Sequence, residues 1–125
     1  MTKTIDWTAL KQAAIDVRKN AYAPYSLFKV GAAILAEGKT FVGCNVENAS
    51  YPVGLCAERA ALAAAVAGGC RSIDALVLVA DRPITPCGMC RQALAEINPE
   101  LPILMVSEQV EAEATLGQLL PDPFQ

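Results

Sequence analysis

Histidine is absent from the 125 residues. Ser-His-Asp and Cys-His machinery are therefore excluded, and proton transfer falls to a carboxylate, a tyrosine, a lysine or a metal-activated water. Aromatic residues are scarce, at 6%. Long apolar runs are missing too: the longest apolar helical stretch, Ala60 to Cys70, spans 11 residues, against the roughly 20 that cross a bilayer. No basic run stands out, so a surface that tracks a nucleic-acid backbone is not expected. Charge is unevenly spread. The last 34 residues, 92–125, hold six acidic residues and no Lys or Arg, whereas 1–91 carry ten basic against seven acidic residues, leaving +3. The start, Met1 to Trp7, lacks the apolar core of a secretory signal. Five cysteines, an odd number, are then expected as reduced thiols in the cytoplasm.

What is present is a chain rich in small apolar residues. The hydrophobic share is 54% and mean hydropathy is +0.34, which excludes disorder. The length fits one domain over 1–125, large enough to bury a core without a metal or disulfide staple. Leu10, Ala13, Ala14 and Val17 fall at helical spacing within Asp6 to Asn20, with Asp6 as N-cap. Phe28 to Ala36 and Thr40 to Val46 read as strands joined at Glu37-Gly38-Lys39. Asn48 to Gly54 reads as loop. Cys56 to Ala67 reads as a helix ended by Gly68-Gly69. Its body is apolar on every side, which predicts burial all round and cover from another subunit. Ile73 to Ala80 reads as a buried strand, Cys87 to Ile97 as a helix, Ile103 to Val106 as a strand and Thr115 to Leu120 as a short helix. Strand, helix, strand in that order predicts a parallel crossover. The sum is α-β-β-α-β-α-β-α, helices on a mixed sheet.

Two clusters carry chemistry. Cys56-Ala57-Glu58-Arg59 and Pro86-Cys87-Gly88-Met89-Cys90-Arg91 each open a predicted helix. Helix N-termini favour thiolate, the form that binds zinc. Three thiols leave a tetrahedral Zn²⁺ one open position, with Glu58 beside it rather than on it. Three thiolates also leave the site at −1, and Arg59, with Arg91 as a second cation, is read as the offsetting group. Two other readings stay open. Cys87 and Cys90 alone match a thiol–disulfide oxidoreductase. A structural Cys₄ zinc in a binding module would recruit Cys44 or Cys70.

A metal ligand-x-Glu followed by Pro-Cys-x-x-Cys is the pattern of zinc deaminases, with three cysteines as a variant. Over nearly its whole length the chain resembles the small homotetrameric cytidine deaminases. The matching blocks are Tyr25-Ser26-x-Phe28-x-Val30-Gly31-Ala32-Ala33, Gly43-Cys44-Asn45-Val46-Glu47-Asn48-Ala49, Cys56-Ala57-Glu58-Arg59, Pro86-Cys87-Gly88-x-Cys90-Arg91-Gln92 and Leu119-Leu120-Pro121-x-x-Phe124. Thr85 stands where serine is common in the family.

The resemblance implies a three-layer α/β/α fold and a hydrolase of pyrimidine salvage. It implies one zinc per chain on Cys56, Cys87 and Cys90, and deamination of cytidine and deoxycytidine with Glu58 making every proton transfer. Asn45 and Glu47 are implied at the ribose 3′-hydroxyl and Phe28 beside the base. The Ala57 N–H and the Thr85 carbonyl are expected at the base as well. Ala49, Tyr51 and Phe124 are implied to reach a neighbouring subunit's site. With no Lys or Arg cluster for a 5′-phosphate, free nucleosides are the expected substrates. The nearest rival inside the family is a deaminase of a nucleoside-like antibiotic.

Overall fold

A computed structural model describes residues 4–125; Met1, Thr2 and Lys3, with part of the stretch read for a secretory signal, lie outside the described residues. Helix α1 (Trp7–Arg18) is capped by Asp6, whose Oδ1 accepts from the Ala9 N–H at 3.0 Å. Strands β1 (Gly31–Ala36) and β2 (Lys39–Cys44) form a two-residue hairpin. Its turn needs positive φ at both central residues, and Glu37 and Gly38 supply it at 51° and 81°. The Glu37 carboxylate is then used elsewhere, accepting from the Arg71 and Ser72 N–H groups.

A 3₁₀ turn at Tyr51–Val53 precedes helix α2 (Ala57–Ala67). Strand β3 (Ala75–Val79), helix α3 (Gly88–Ile97) and strand β4 (Pro102–Val106) form the parallel crossover. Strand β5 (Glu111–Thr115) and the one-turn helix α4 (Leu116–Leu119) complete the chain.

The sheet runs β2-β1-β3-β4-β5 and is mixed: only β3 and β4 are parallel neighbours. Side chains alternate between its faces. Ala33, Ala75, Val77 and Leu104 meet Leu10 and Ala14 of α1. Ala32, Ile34, Leu76, Leu78 and Ile103 meet Ala57, Ala61 and Ala65 of α2 and Leu94 of α3. This is the expected three-layer arrangement.

Three expectations need correction. Strand β5 is absent from the sequence reading, because Glu-Ala-Glu-Ala-Thr has low strand propensity and exposed charge. It forms as an edge strand on β4, with Ala114 turned into the core. The first strand begins at Gly31 rather than Phe28, since Phe28 and Val30 are held by the Asn45 side chain instead of a neighbouring strand. The second ends at Cys44, and Val46 makes isolated bridges to Tyr22 and Leu55. Within this chain α2 buries Ala57, Glu58, Ala61 and Ala65, while Ala63, Val66 and Ala67 face outward, the side for which cover from another subunit is expected.

The seat of α2 is unusually close. A Cβ built on Gly43 of β2 would lie 2.4 Å from the Ala61 nitrogen and 2.5 Å from the Ala57 oxygen, both backbone atoms. Gly43→Ala is therefore expected to push α2 off the sheet, at about 1–3 kcal/mol for overpacking. Thermal unfolding should show a midpoint lower by roughly 4–12 °C, at about 4 °C per kcal/mol. An unchanged midpoint would mean that α2 can shift without cost.

Candidate active site

Two helix starts converge under the sheet's edge loops, and both N-caps are cysteines: Cys56 for α2 and Cys87 for α3. Cys90 lies buried in the first turn of α3. Each N-terminus brings unpaired N–H groups and partial positive charge toward the same point. The Cys87 Sγ accepts from the Cys90 N–H at 3.5 Å. The Cys56 side chain makes no cap bond, which leaves the first turn of α2, including the Ala57 N–H, open toward the site.

The three Sγ atoms all lie within 4.8 Å of one another. Cys56 and Cys87 are 3.7 Å apart. Tetrahedral zinc with Zn–S bonds of about 2.3 Å needs sulfurs roughly 3.8 Å apart, so the cluster has the size and the donors of a zinc site. Among the described residues this is the one His/Cys/Asp/Glu group of three or more so placed, and neither Cys44 nor Cys70 joins it. Cys70 is buried and donates to the Ala36 carbonyl. The Cys₄ reading thus finds no fourth thiol. The redox reading does not account for the third.

The electrostatics favour a thiolate at Cys56. The Cys56 thiol is lowered to about 5 by hydrogen bonding with Cys90 and by Arg59. Cys90 is driven the other way by the same Cys56 contact, by burial and by Glu58. Arg59 Nη2 lies 3.8 Å from the Cys56 Sγ, and these sulfurs hold its guanidinium charged. Arg91, by contrast, does not offset thiolate charge by contact. It donates to the Pro86 carbonyl (2.7 Å), the Leu119 carbonyl (2.7 Å) and the Thr85 hydroxyl (3.0 Å). It fastens the loop before α3 to the last helix.

Glu58 is the buried charged residue of the core, 4% exposed. Burial pushes its carboxyl up to about 7, and the Cys56 thiolate adds to the rise. A buried carboxylate tuned to neutrality beside a metal-ligand cluster has the properties of a general acid–base.

A cavity of about 600 Å³ opens beside Cys56, bordered by Tyr25, Asn45, Glu47, Tyr51 and Met89. Asn45 and Glu47 both face it, but both are already engaged. Asn45 accepts from the Val30 N–H and donates to the Phe28 carbonyl, each at 2.8 Å. Glu47 accepts from the Tyr25 and Ser26 N–H groups at 3.0 and 3.1 Å and from the Ser26 hydroxyl. The Ser26 hydroxyl in particular holds the Glu47 carboxyl below its ordinary range. Each retains unused bonding capacity for a ligand. Phe28 is half-buried, with the Arg82 guanidinium 4.1 Å from its ring centroid. Thr85 is exposed and tied to Arg91. Ala49 and Phe124 (85%) stand out into solvent and do not border this cavity, whereas Tyr51, though 80% exposed, lies at its rim with Cys56.

Two participants were not assigned roles from the sequence. Ser26 pins Glu47, and Gln92 bonds to the backbone of Phe124. Both lie within the matched blocks, but their partners are distant in sequence and nothing local gives these contacts.

Fold and site together define a metal-assisted hydrolase with one carboxylate for proton transfer. Residues 6–105 match the family model described as the cytidine and deoxycytidylate deaminase zinc-binding region, and the chain belongs to that family. It is 47% identical over 112 residues to a cytidine deaminase of Sporosarcina psychrophila, covering 86% of this chain and 82% of that one. A crystal structure of cytidine deaminase from Burkholderia pseudomallei superposes with a TM-score of 0.91 at 46% identity, covering 96% of this chain and 100% of that one. A blasticidin-S deaminase of Bacillus cereus is more distant, 29% identical over 103 residues, or 74% of each chain.

The ligand assignment is tested by metal content. Cys56→Ala, Cys87→Ala and Cys90→Ala should each lose the single equivalent of zinc, and Cys56→His should keep it, since imidazole is also a good ligand. Cys44→Ala and Cys70→Ala should retain it. Loss of metal from either of the last two would return a fourth thiol to the site.

Proposed function

We propose that this protein catalyses the hydrolytic deamination of cytidine and deoxycytidine, releasing ammonia, with one zinc ion held by Cys56, Cys87 and Cys90. The observation that carries this reading is the gathering of three thiols within 4.8 Å of one another, with the buried Glu58 carboxyl two residues after the thiol that caps α2. Bound zinc supplies a water acidified enough to act as nucleophile near neutral pH. Glu58 takes a proton from that water and hands it to N3 of the pyrimidine, and the water oxygen bonds to C4, made electrophilic by that transfer. Glu58 then moves the oxygen's remaining proton to the amine as the C4–N4 bond breaks, so cytidine and water become uridine and ammonia. A buried carboxyl beside the attacked carbon can do both without an external base. Arg59 offsets the thiolate charge at Cys56. The Ala57 N–H and the Thr85 carbonyl orient the base, Phe28 packs beside it, and Asn45 and Glu47 use their remaining bonding capacity on the ribose 3′-hydroxyl.

Thiol–disulfide exchange at Cys87 and Cys90 is disfavoured by the third thiol gathered with them. Deamination of a nucleoside-like antibiotic is disfavoured by the greater distance of the blasticidin-S relative. Cytoplasmic placement is supported by a site that works only with reduced thiols. No helix among the described residues is long and apolar enough to cross a membrane.

The reading extends to assembly. The outward Ala63, Val66 and Ala67 of α2, together with exposed Leu27, Tyr51 and Val53, form apolar surface that a homotetramer would cover. In that assembly Ala49, Tyr51 and Phe124 of one chain reach the site of the next, and Phe124 stacks on the bound base.

Glu58→Gln should keep zinc and fold while turnover falls by at least ~10⁴-fold, at the upper end for general acid–base catalysis because one group serves every transfer. A near-normal rate of ammonia release would remove Glu58 from the mechanism. Deleting Pro123 to Gln125 should leave zinc and particle size unchanged and raise KM for cytidine roughly tenfold, the value of a lost base–aromatic stack. Mixing the truncated chain with full-length Glu58→Gln should restore activity in hybrid particles. A monomer by light scattering, or no recovery on mixing, would defeat the shared site.

A further inference from the structure

Chain ends ordinarily fray, yet Phe124 is held at both of its backbone polar groups by a single side chain. The Phe124 N–H donates to the Gln92 Oε1 at 2.9 Å, and the Gln92 Nε2 donates to the Phe124 carbonyl at 3.0 Å. A primary amide facing the N–H and C=O of one residue reproduces a hydrogen-bonded pair of an antiparallel ladder. It fixes the peptide planes on both sides of the Phe124 Cα and thereby the direction of its side chain. A carboxylate could accept but not donate, and an ammonium could donate but not accept. Glutamine has the length and both functions. The ring so aimed is 85% exposed, so the clamp does not serve to bury it.

The mounting is firm on the other side as well. Gln92 belongs to α3, whose first turn carries Cys90, and the adjacent Arg91 grips the Leu119 carbonyl. The tail is thus tied at both of its ends to one helix. We infer that Gln92 is a positioning residue: its amide presets Phe124 for a pyrimidine bound in a neighbouring copy, so that binding does not have to order a loose chain end. This rests on the stacking role proposed above for Phe124.

The test compares Gln92→Ala, Gln92→Glu, Phe124→Ala and the Gln92→Ala/Phe124→Ala double variant in the full-length zinc enzyme. Zinc content and particle size serve as controls. Loss of one or two hydrogen bonds should raise KM for cytidine about three- to tenfold in Gln92→Ala, with kcat held within about twofold. Gln92→Glu, which keeps the acceptor and the size, should fall between wild type and Gln92→Ala, and it carries the test if Gln92→Ala loses zinc. In the Phe124→Ala background, Gln92→Ala should add nothing. Hydrogen exchange at the Phe124 amide should quicken in Gln92→Ala. Unchanged exchange would overturn the clamp itself. So would a fall in kcat at constant KM, or a full additive effect in the double variant, either of which would place Gln92 in another role. Quickened exchange with kinetics unaffected by Phe124→Ala would instead overturn the stacking reading, and the positioning role with it.

Discussion

The close seat of α2 on the sheet is the contact on which the site depends. Gly43 presents no side chain, so the backbone at Ala57 and Ala61 comes within van der Waals range of β2. That depth brings the Cys56 cap level with the cap of α3. Two helix ends then point their unpaired N–H groups at one small volume, where negative sulfur is stabilised and where a cation of charge two has three donors waiting. A bulkier strand would leave each cysteine on its own helix end, with a Cys-x-x-Cys and a lone thiol in place of a ligand set. The small residues along the inner face of α2, Ala57, Ala61 and Ala65, therefore define the geometry of the chemistry as much as the packing of the core.

The same insertion buries Glu58. Its position two residues after Cys56 takes the carboxyl below the helix surface, where water is excluded and the charged form is disfavoured. In a protein without histidine this is how a group is made to titrate near neutrality. Arg59, three residues after Cys56, lies one helical turn on and so reaches the Cys56 sulfur. Three of four successive residues at one helix start are thus the groups proposed to hold the metal, move the proton and offset the charge.

Those three roles were legible because they are local. Helix-start cysteines, the Glu two residues on and the Pro before Cys87 are all short-range patterns, and the three-layer order followed from the alternation of strands and helices. What escaped was non-local or ran against propensity. Strand β5 exists because β4 offers it a ladder, not because Glu-Ala-Glu-Ala-Thr favours a strand. The grip of Gln92 on Phe124 spans 32 positions, and Arg91 turned from the thiols to carbonyls that only the folded tail supplies. Asn45 carried a pattern that pointed to a ligand, but its first partners are the chain on either side of Lys29. The Thr115-x-x-Gln118 capping box that starts α4 was readable in principle.

Strand β5 also bears on how the molecule behaves in crowded solution. It closes the sheet with an open ladder edge, the feature by which β proteins recruit one another into fibrils. Here that edge displays Glu111 and Glu113, both exposed, with Lys11 drawn onto Glu111 from the helix layer. A second copy adding antiparallel along the same edge would bring carboxylate rows face to face, and the like-charge penalty opposes the addition. The acidic stretch 92–125 thus sets like charge against pairing through the backbone of this edge and leaves side-chain surfaces as the favoured route to ordered association.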